Sequence, residues 1–402
     1  MPARWVSILA IGAVTLVAVA VAGWAIFVED SRPEAPGAFY TAPSPLPDGP
    51  PGTIIRSEVI DRFHPGATAH RVLYTSTGYD GKPVAVSGLV VVPDGAPPPA
   101  GRKVIAYTHG TVGVASDCAP SLVTNQAQQP LLFEGGGELL RAGYVVAASD
   151  YQGLGTPGPH PYLVGESEAM NELDVVRAAR NLTEAHAGDE FVAWGHSQGG
   201  HASLFTGQLA AGYAPELRLL GVVAGAPVPN LADLFQVNIR TTVGKILISM
   251  ALRSWARVYD DASLDQIVSR GARPLVGRIA RNCLYTRRQI VSSVPGSLAL
   301  SLRFLHTPPW KTEPWATIVE ENNPGQAPTD APLLIVQGDA DPIVAPEVTA
   351  RLVDTLCAAG ETVALRMLDG TAHLDAGHVA VPDVVGWIAD RFAGKPPPTT
   401  CS

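Results

Sequence analysis

A serine between glycines has the setting of a chemical nucleophile in this 402-residue chain. The run Gly195-His196-Ser197-Gln198-Gly199 has the pattern G-x-S-x-G, which holds a hydroxyl at the tip of a tight strand-to-helix turn. Phe191-Val192-Ala193-Trp194 precedes it as a predicted strand, and His201-Ala202-Ser203-Leu204-Phe205 follows it as a predicted helix. We predict that Ser197 is a nucleophile and that the backbone N–H of Gln198 stabilises the negative charge that develops in the reaction.

A base is needed because a serine hydroxyl is a weak nucleophile at neutral pH. In α/β sheets with this turn, an acid and then a histidine follow the serine along the chain. Beyond the helix predicted directly after Ser197, the histidines are His306, His373 and His378. His373 follows the strand predicted at residues 363–368 and is the preferred base. His378 is the alternative on the next helix, and His306 precedes every late strand.

The acid should follow the preceding strand, from where it can reach the histidine. The strand predicted at residues 332–337 runs into Gly338-Asp339-Ala340-Asp341. Asp341 lies further into the loop, so we predict that it accepts a hydrogen bond from His373. Asp339 lies directly at the strand end and is expected to cap a turn. The sequence therefore predicts a catalytic triad of Ser197, His373 and Asp341.

A second donor to the negative oxygen is expected from the loop after the strand predicted at residues 103–108. His109-Gly110-Thr111 follows this strand, and its glycine lets the backbone come close to a substrate oxygen. We predict the backbone N–H of Thr111, or a neighbouring amide, as this donor. His109 is expected to hold the loop in place.

Alternating strand-like and helix-like segments predict the elements that position these residues. From Thr53 onward several strands are continuous apolar runs, which is typical of parallel strands buried on both faces. The predicted fold class is α/β, with a doubly wound, mostly parallel sheet. Residues 54–226 and 326–402 are predicted as the two parts of this core, the second with a C-terminal tail. Residues 227–325 are predicted as an inserted helical cap, because so long a stretch exceeds an ordinary crossover.

The N-terminal segment is apolar enough to predict export. Arg4 is followed by 24 uncharged residues and then by Glu29 and Asp30. A helix of this length rises about 36 Å and can span a bilayer. Residues 1–30 are therefore predicted as a retained transmembrane anchor, or as a signal peptide cleaved near Ala18-Val19-Ala20. Residues 31–53 contain seven prolines and are predicted as a stiff linker. Either route gives an extracytoplasmic protein, membrane-anchored or secreted.

Composition narrows the possible functions. The net charge of −9 argues against a nucleic-acid binder, which needs a basic face. An even number of cysteines suits two disulfides in an exported chain, with three pairings possible. Because the sequence has no Cys-x-x-Cys or Cys/His cluster, a zinc site is not predicted, and the chemistry of the predicted triad needs no metal or organic cofactor. The four cysteines are Cys118, Cys283, Cys357 and Cys401.

Six segments together resemble the secretory lipase family of α/β-hydrolases. They are Tyr107-Thr108-His109-Gly110-Thr111, Asp117-Cys118-Ala119-Pro120-Ser121, Gly195-His196-Ser197-Gln198-Gly199-Gly200, Tyr213-Ala214-Pro215-Glu216-Leu217, Asp341-Pro342-Ile343-Val344 and Ala372-His373-Leu374. The resemblance implies an α/β-hydrolase fold and the same triad. It also implies the disulfides Cys118–Cys283 and Cys357–Cys401.

These observations predict an exported serine lipase or esterase that works as a monomer. It would hydrolyse carboxylic esters such as acylglycerols through an acyl-enzyme, with the membrane as a further partner through its N-terminal helix. One alternative is an acyltransferase that uses the same triad on a lipid or alcohol acceptor, and another is a non-catalytic, membrane-tethered binding protein. The apolar run at residues 246–252 predicts either an acyl tunnel or core packing.

Overall fold

A single nine-stranded sheet lies at the centre of the computed structural model, which describes residues 35–300 and 304–401. The strands are β1 (Ile54–His64), β2 (Ala67–Thr77), β3 (Pro83–Pro93), β4 (Arg102–Thr108), β5 (Val145–Ser149), β6 (Ala187–His196), β7 (Arg218–Gly225), β8 (Leu333–Gly338) and β9 (Val363–Leu368). Their order across the sheet is β1-β2-β3-β5-β4-β6-β7-β8-β9. The pairs β1–β2, β2–β3 and β3–β5 are antiparallel, and the remaining pairs are parallel. The predicted α/β class with a mostly parallel sheet is confirmed.

Helices alternate with the parallel strands and are concentrated in one long interval. In the described residues they are α1 (Gly137–Arg141), α2 (Gly165–Asn181), α3 (Gln198–Tyr213), α4 (Leu231–Asn238), α5 (Thr242–Val258), α6 (Arg273–Ile279), α7 (Arg287–Ala299), α8 (Trp315–Glu321), α9 (Pro346–Ala358), α10 (His373–Val379) and α11 (Val381–Phe392). Helices α4 to α8 all fall between β7 and β8. This interval is the one that the sequence predicts as a cap.

Apolar residues cover both faces of the parallel strands. In β4, Ile105 and Tyr107 belong to a buried cluster that includes Trp387 of α11, whereas Val104 and Ala106 belong to a second cluster with residues of α2. Successive side chains of a strand point to opposite faces, so each position of such a strand needs an apolar residue. This explains why the central strands are continuous apolar runs in the sequence.

The carboxyl ends of the central strands lie in register at one edge of the sheet. His196 pairs with Gly225 across β6 and β7, and Gly225 pairs with Val336 across β7 and β8. Gly338, the last residue of β8, pairs with Leu368, the last residue of β9. The segments that follow β6, β8 and β9 therefore leave the sheet at the same edge.

The helices between β7 and β8 have a hydrophobic core of their own. Trp255 of α5 and Trp315 of α8 are fully buried, and their ring centroids lie 6.5 Å apart. Ile246, Ile248 and Leu252 of α5 belong to the same cluster. Of the two roles predicted for the apolar run in α5, core packing is the one that these buried side chains take.

The described part of the predicted linker, residues 35–53, lies against the core. Tyr40 is buried, and its hydroxyl hydrogen-bonds the hydroxyl of Ser121 at 2.8 Å. The Gly52 N–H donates to the carbonyl of Thr75 at 2.7 Å. The predicted anchor or signal peptide, residues 1–30, lies outside the described residues, among which no helix is long and apolar enough to cross a bilayer.

Two disulfides join the pairs that the family resemblance implies. Cys118–Cys283 connects the loop after β4 to the segment between α6 and α7, and Cys357–Cys401 fastens the C-terminal tail to α9. The sequence separations are 165 and 44 residues. Restricting the unfolded chain over such distances stabilises the fold by about 5 and about 4 kcal/mol in the chain-entropy description.

Candidate active site

Three side chains from the ends of β6, β8 and β9 form one hydrogen-bonded line. Nε2 of His373 lies 2.9 Å from Oγ of Ser197, and Nδ1 of His373 lies 2.7 Å from Oδ2 of Asp341. His373 and Asp341 are buried, whereas Ser197 is partly exposed. In this geometry the hydroxyl can donate to the imidazole and the imidazole N–H to the carboxylate, as general-base activation of a serine requires.

Ser197 occupies a strained turn between β6 and α3. Its φ of 60° and ψ of −119° lie in a region that non-glycine residues rarely adopt. A Cβ at Gly195 would lie 2.1 Å from Oγ1 of Thr108, and a Cβ at Gly199 would lie 2.0 Å from the Thr108 carbonyl oxygen. The turn therefore packs directly on the end of β4, and both glycines of the G-x-S-x-G pattern are required sterically.

Both carboxylate oxygens of Asp341 accept hydrogen bonds. Oδ1 accepts the backbone N–H groups of Ile343 at 2.8 Å and Val344 at 2.9 Å. Oδ2 accepts from His373 and, at 3.1 Å, from Nε2 of Gln337. Burial alone would raise the pKa of Asp341, but the bonds from His373 and the two amides outweigh it and hold the pKa below its ordinary value. Asp341 is therefore an ionised, fixed acceptor at neutral pH.

The electrostatic surroundings of His373 favour its neutral form. Burial lowers the pKa of His373 below its ordinary value, the hydrogen bond to Asp341 opposes this, and the neighbouring His196 adds to the lowering. Nδ1–H then donates to Asp341, and the lone pair of Nε2 faces Ser197. The imidazole is thus ready to accept a proton near neutral pH.

We expect ester hydrolysis by this protein to fall on acidification with a midpoint below about 6.5, the ordinary histidine pKa. Protonation of His373 removes the base, and its lowered pKa moves this protonation to lower pH. The measurement is the pH profile of kcat/KM for a p-nitrophenyl ester, which reports ionisations of the free enzyme. An acidic midpoint above 6.5 would contradict the assignment of His373.

The loop that is predicted to supply the second oxyanion donor passes beside Ser197. A Cβ at Gly110 would lie 3.2 Å from the His196 carbonyl oxygen and 3.9 Å from Cβ of Ser197. Oγ1 of Thr111 hydrogen-bonds the hydroxyl of Tyr162 at 2.8 Å, which ties this loop to the segment before α2. The role of the Thr111 N–H stays a prediction.

Gln198 begins α3, and its side chain belongs to a buried polar cluster. Its Nε2 donates to Oε1 of Glu168 at 2.6 Å, and Oε2 of Glu168 lies 3.3 Å from Nδ1 of His201. Nε2 of His201 lies 2.9 Å from the carbonyl oxygen of Asn322. These contacts fix the start of α3, where the first backbone N–H groups of a helix have no intrahelical acceptor. The position suits the predicted oxyanion role of the Gln198 N–H, which stays a prediction.

The other residues considered from the sequence have different surroundings. Nδ1 of His109 lies 2.7 Å from the Gly110 carbonyl oxygen, and its ring packs on Tyr151 at 4.3 Å between centroids. Oδ1 of Asp339 accepts the Gly370 N–H at 2.6 Å, a contact that caps the turn. His306 and His378 are further histidines of the C-terminal half: Nε2 of His306 lies 3.1 Å from the Asp265 carbonyl oxygen, and His378 is exposed on α10.

A buried carboxylate that the sequence did not point to contacts His196, a neighbour of His373. Oε2 of Glu134 accepts the Tyr107 hydroxyl at 2.5 Å, and Oε1 lies 3.1 Å from Nδ1 of His196. The rings of His196 and His373 are 4.9 Å apart, and a Cβ at Gly377 would lie 3.2 Å from Oε1 of Glu134. The pair Glu134–His196 thus forms the surface on which α10 and its first residue, His373, pack.

The charge of Glu134 raises the pKa of His373, so replacing Glu134 with glutamine should shift the acidic limb of kcat/KM to lower pH. A glutamine keeps the size of the side chain but has no negative charge. The negative charge of Glu134 favours the imidazolium form of His373, so its removal favours the neutral imidazole. The control is Glu138→Gln on α1, where the exposed carboxylate pairs with Arg141. An unchanged profile, or a shift to higher pH, would contradict this role of Glu134.

Comparisons with known proteins find lipases and the same architecture. The family model described as Secretory lipase matches residues 121–400. A probable inactive lipase of Mycobacterium tuberculosis is 27% identical over 384 residues, which cover 89% of this chain and 82% of the relative. Lipase A of Moesziomyces aphidis is 25% identical over 385 residues, covering 90% and 81%. The crystal structure of Candida antarctica lipase A in its closed state has a TM-score of 0.77 at 22% identity, covering 91% of this chain and 87% of that one.

Proposed function

Because the chain belongs to the secretory lipase family, we propose that it is an exported serine hydrolase of carboxylic esters with an apolar acyl group. The observation that carries the proposal is the relay of 2.9 Å from Ser197 to His373 and 2.7 Å from His373 to Asp341. A binding protein has no need for a hydroxyl, an imidazole and a carboxylate in this order, whereas acyl transfer to serine requires it.

In the proposed mechanism Oγ of Ser197 attacks the carbonyl carbon while its proton moves to Nε2 of His373. Asp341 stabilises the imidazolium without taking the proton. The tetrahedral intermediate expels the alkoxide, which takes the proton from His373 and leaves as the alcohol. Water then gives a proton to His373 and attacks the acyl-enzyme. The second intermediate collapses to release the carboxylic acid, and His373 returns the proton to Oγ of Ser197.

The negative oxygen of each tetrahedral intermediate is assigned to two backbone donors. The Gln198 N–H lies at the start of α3, where the helix dipole adds to the stabilisation of a negative charge. The Thr111 N–H belongs to the loop that passes beside Ser197. Neither donor needs a metal or an organic cofactor, and none of the proposed steps requires one.

Export is part of the proposal and rests on two features. The family is secretory by its description, and two disulfides are typical of proteins that fold in an oxidising compartment. The apolar N-terminal run would then direct export, either as a retained anchor or as a cleaved signal peptide.

A non-catalytic role is the second candidate, because the Mycobacterium tuberculosis relative is described as probably inactive. The two candidates differ in one chemical event, the formation of a covalent bond at Ser197. An active enzyme forms an acyl-Ser197 intermediate, and an inert scaffold does not.

The test is a series of p-nitrophenyl esters from acetate to palmitate, hydrolysed by the full chain in neutral detergent. We expect turnover and an acyl group on Ser197 in peptides from acid-quenched reactions. A maximum at short acyl chains would indicate an esterase, and a maximum at long chains a lipase. Absence of both turnover and acylation across the series would favour the non-catalytic role.

A further inference from the structure

A recess between the cap and the core is lined by three arginines and, among the residues that the structure describes, by no acidic residue. Its volume is about 310 Å³, and its lining includes Arg253 and Arg257 of α5 and Arg281, which follows α6. Val114 also lines the recess and belongs to the loop in which Gly110 packs beside Ser197. One loop therefore contributes to both the recess and the surroundings of Ser197, and the residues of the relay do not line the recess.

The three guanidinium groups have no carboxylate partner in the described part of the chain. All three side chains are exposed, and none forms an ion pair or hydrogen bond with another described residue, whereas Arg351 on α9 pairs with a carboxylate. Partial burial of the guanidinium group lowers the pKa of Arg253, and the positive charges of Arg257 and Arg281 lower it further. Like charges held together in this way create a potential that attracts an anion.

The cap is also the basic part of an acidic protein. Residues 227–325, the predicted cap, contain twelve arginines and lysines and seven aspartates and glutamates, a net charge of +5, whereas the whole chain has a net charge of −9. The arginines of the recess belong to this basic segment. Such a separation of charge orients a protein on an anionic lipid surface, where each basic residue strengthens binding about fivefold.

A buried histidine is part of the lining of the recess. His160 is 2% exposed, and within residues 35–300 and 304–401 its Nε2 has no hydrogen-bond partner. Nδ1 of His160 lies 3.0 Å from the carbonyl oxygen of Gln152, to which it must donate. Burial lowers the pKa of His160 to about 3, so the imidazole is neutral and the arginines supply the positive charge of the recess.

We propose that this recess binds the headgroup of an anionic phospholipid, and so docks the cap on an anionic lipid surface. Arg253, Arg257 and Arg281 would bind the phosphate oxygens, as planar guanidinium groups do. The choice of a lipid over dissolved phosphate rests on the proposed function, because esters with long acyl chains are presented in lipid aggregates.

The experiment measures hydrogen–deuterium exchange in residues 250–285 of the full chain on lipid vesicles. Ser197→Ala is present in every sample to prevent hydrolysis, and the vesicles contain phosphatidylcholine alone or a mixture with phosphatidylglycerol. The N-terminal apolar run is the same in all samples, so it contributes equally to binding. We expect exchange to slow about fivefold or more on phosphatidylglycerol only, and the effect to disappear in Arg253→Gln/Arg257→Gln/Arg281→Gln.

Matched controls distinguish binding of the headgroup in the recess from a general electrostatic attraction of the basic cap to the vesicle. Arg240→Gln, an exposed cap residue that does not line the recess, should keep the slowing. Equal slowing on both kinds of vesicle, or loss of the effect in Arg240→Gln, would overturn the proposal. Inorganic phosphate added with phosphatidylcholine vesicles should give no slowing, and an arginine-dependent slowing by phosphate would overturn the lipid assignment.

Failure of this proposal can be told apart from failure of the proposed esterase function. With Ser197 restored, the triple arginine variant should hydrolyse p-nitrophenyl acetate at the rate of the parent, because its substituted residues do not touch the relay. If no form of the protein hydrolyses the ester, the proposed function fails while the exchange result still decides the headgroup site.

Discussion

Replacing Ser197 with alanine should lower kcat for p-nitrophenyl esters by about 10⁵-fold or more, as loss of a serine nucleophile does in related chemistry. Alanine removes only Oγ, the atom that lies 2.9 Å from Nε2 of His373, and leaves no other hydroxyl in the relay. What remains is the stabilisation of the transition state by oxyanion donors and substrate binding. The measurement is steady-state kinetics together with mass spectrometry of acylated peptides.

Stability should change little, which separates a chemical effect from a folding defect. The φ of Ser197 is positive, and alanine meets the same backbone strain as serine there. A matched control is Ser57→Ala in β1, where the side chain is exposed and activity should equal that of the parent. Activity of Ser197→Ala within tenfold of the parent, at an unchanged melting temperature, would refute the mechanism.

Replacing Asp341 with asparagine should lower kcat by about 10³–10⁴-fold with little loss of structure. The backbone amides of Ile343 and Val344 both donate to Oδ1, so the amide oxygen of asparagine must take that place. Its NH₂ group then faces Nδ1 of His373 and forces the tautomer with a proton on Nε2. In that tautomer His373 has no lone pair for the proton of Ser197.

The neighbouring carboxylate provides the control for Asp341→Asn. Asp339 is exposed and accepts a hydrogen bond from the Gly370 amide, and Asp339→Asn should stay within about threefold of the parent because asparagine caps turns as well. The kinetics of the two variants are compared at equal folded fraction. If Asp339→Asn has the larger defect, the acid has been assigned to the wrong residue.

The relay could be predicted from the sequence because it depends on chain order and on the ends of buried strands. Parallel strands with apolar residues on both faces are visible as continuous runs, and their carboxyl ends share one edge of the sheet. The residues after β6, β8 and β9 therefore had to meet. The two glycines that pack against the end of β4, Gly195 and Gly199, are part of the G-x-S-x-G pattern itself, so they too can be identified from the sequence.

Other features could not be predicted, for physical reasons that differ from one case to the next. Strand β1 lies at the sheet edge with mostly exposed or partly exposed residues, so it lacks an apolar run. Glu134 reaches His196 from the segment before α1, 62 residues away in the sequence, and no local pattern shows which buried carboxylate will contact a histidine. The arginine recess joins α5 to a residue beyond α6, a proximity that only the packing of the cap creates.

The attachment of the cap has a consequence for how this scaffold can diversify. The insertion leaves the sheet after β7 and returns at β8, and these two strands are neighbours that pair through Val222 and Leu333. Exchanging the segment for one of a different length has a small effect on stability. The entropic cost of closing a loop between two fixed ends grows only with the logarithm of the loop length. Ser197, Asp341 and His373 all belong to the core, so evolution can replace the predicted cap and retain the hydrogen-bonded relay. The disulfide Cys118–Cys283 is the one cross-link between this segment and the core. A replacement segment would need a cysteine at the corresponding position to keep it.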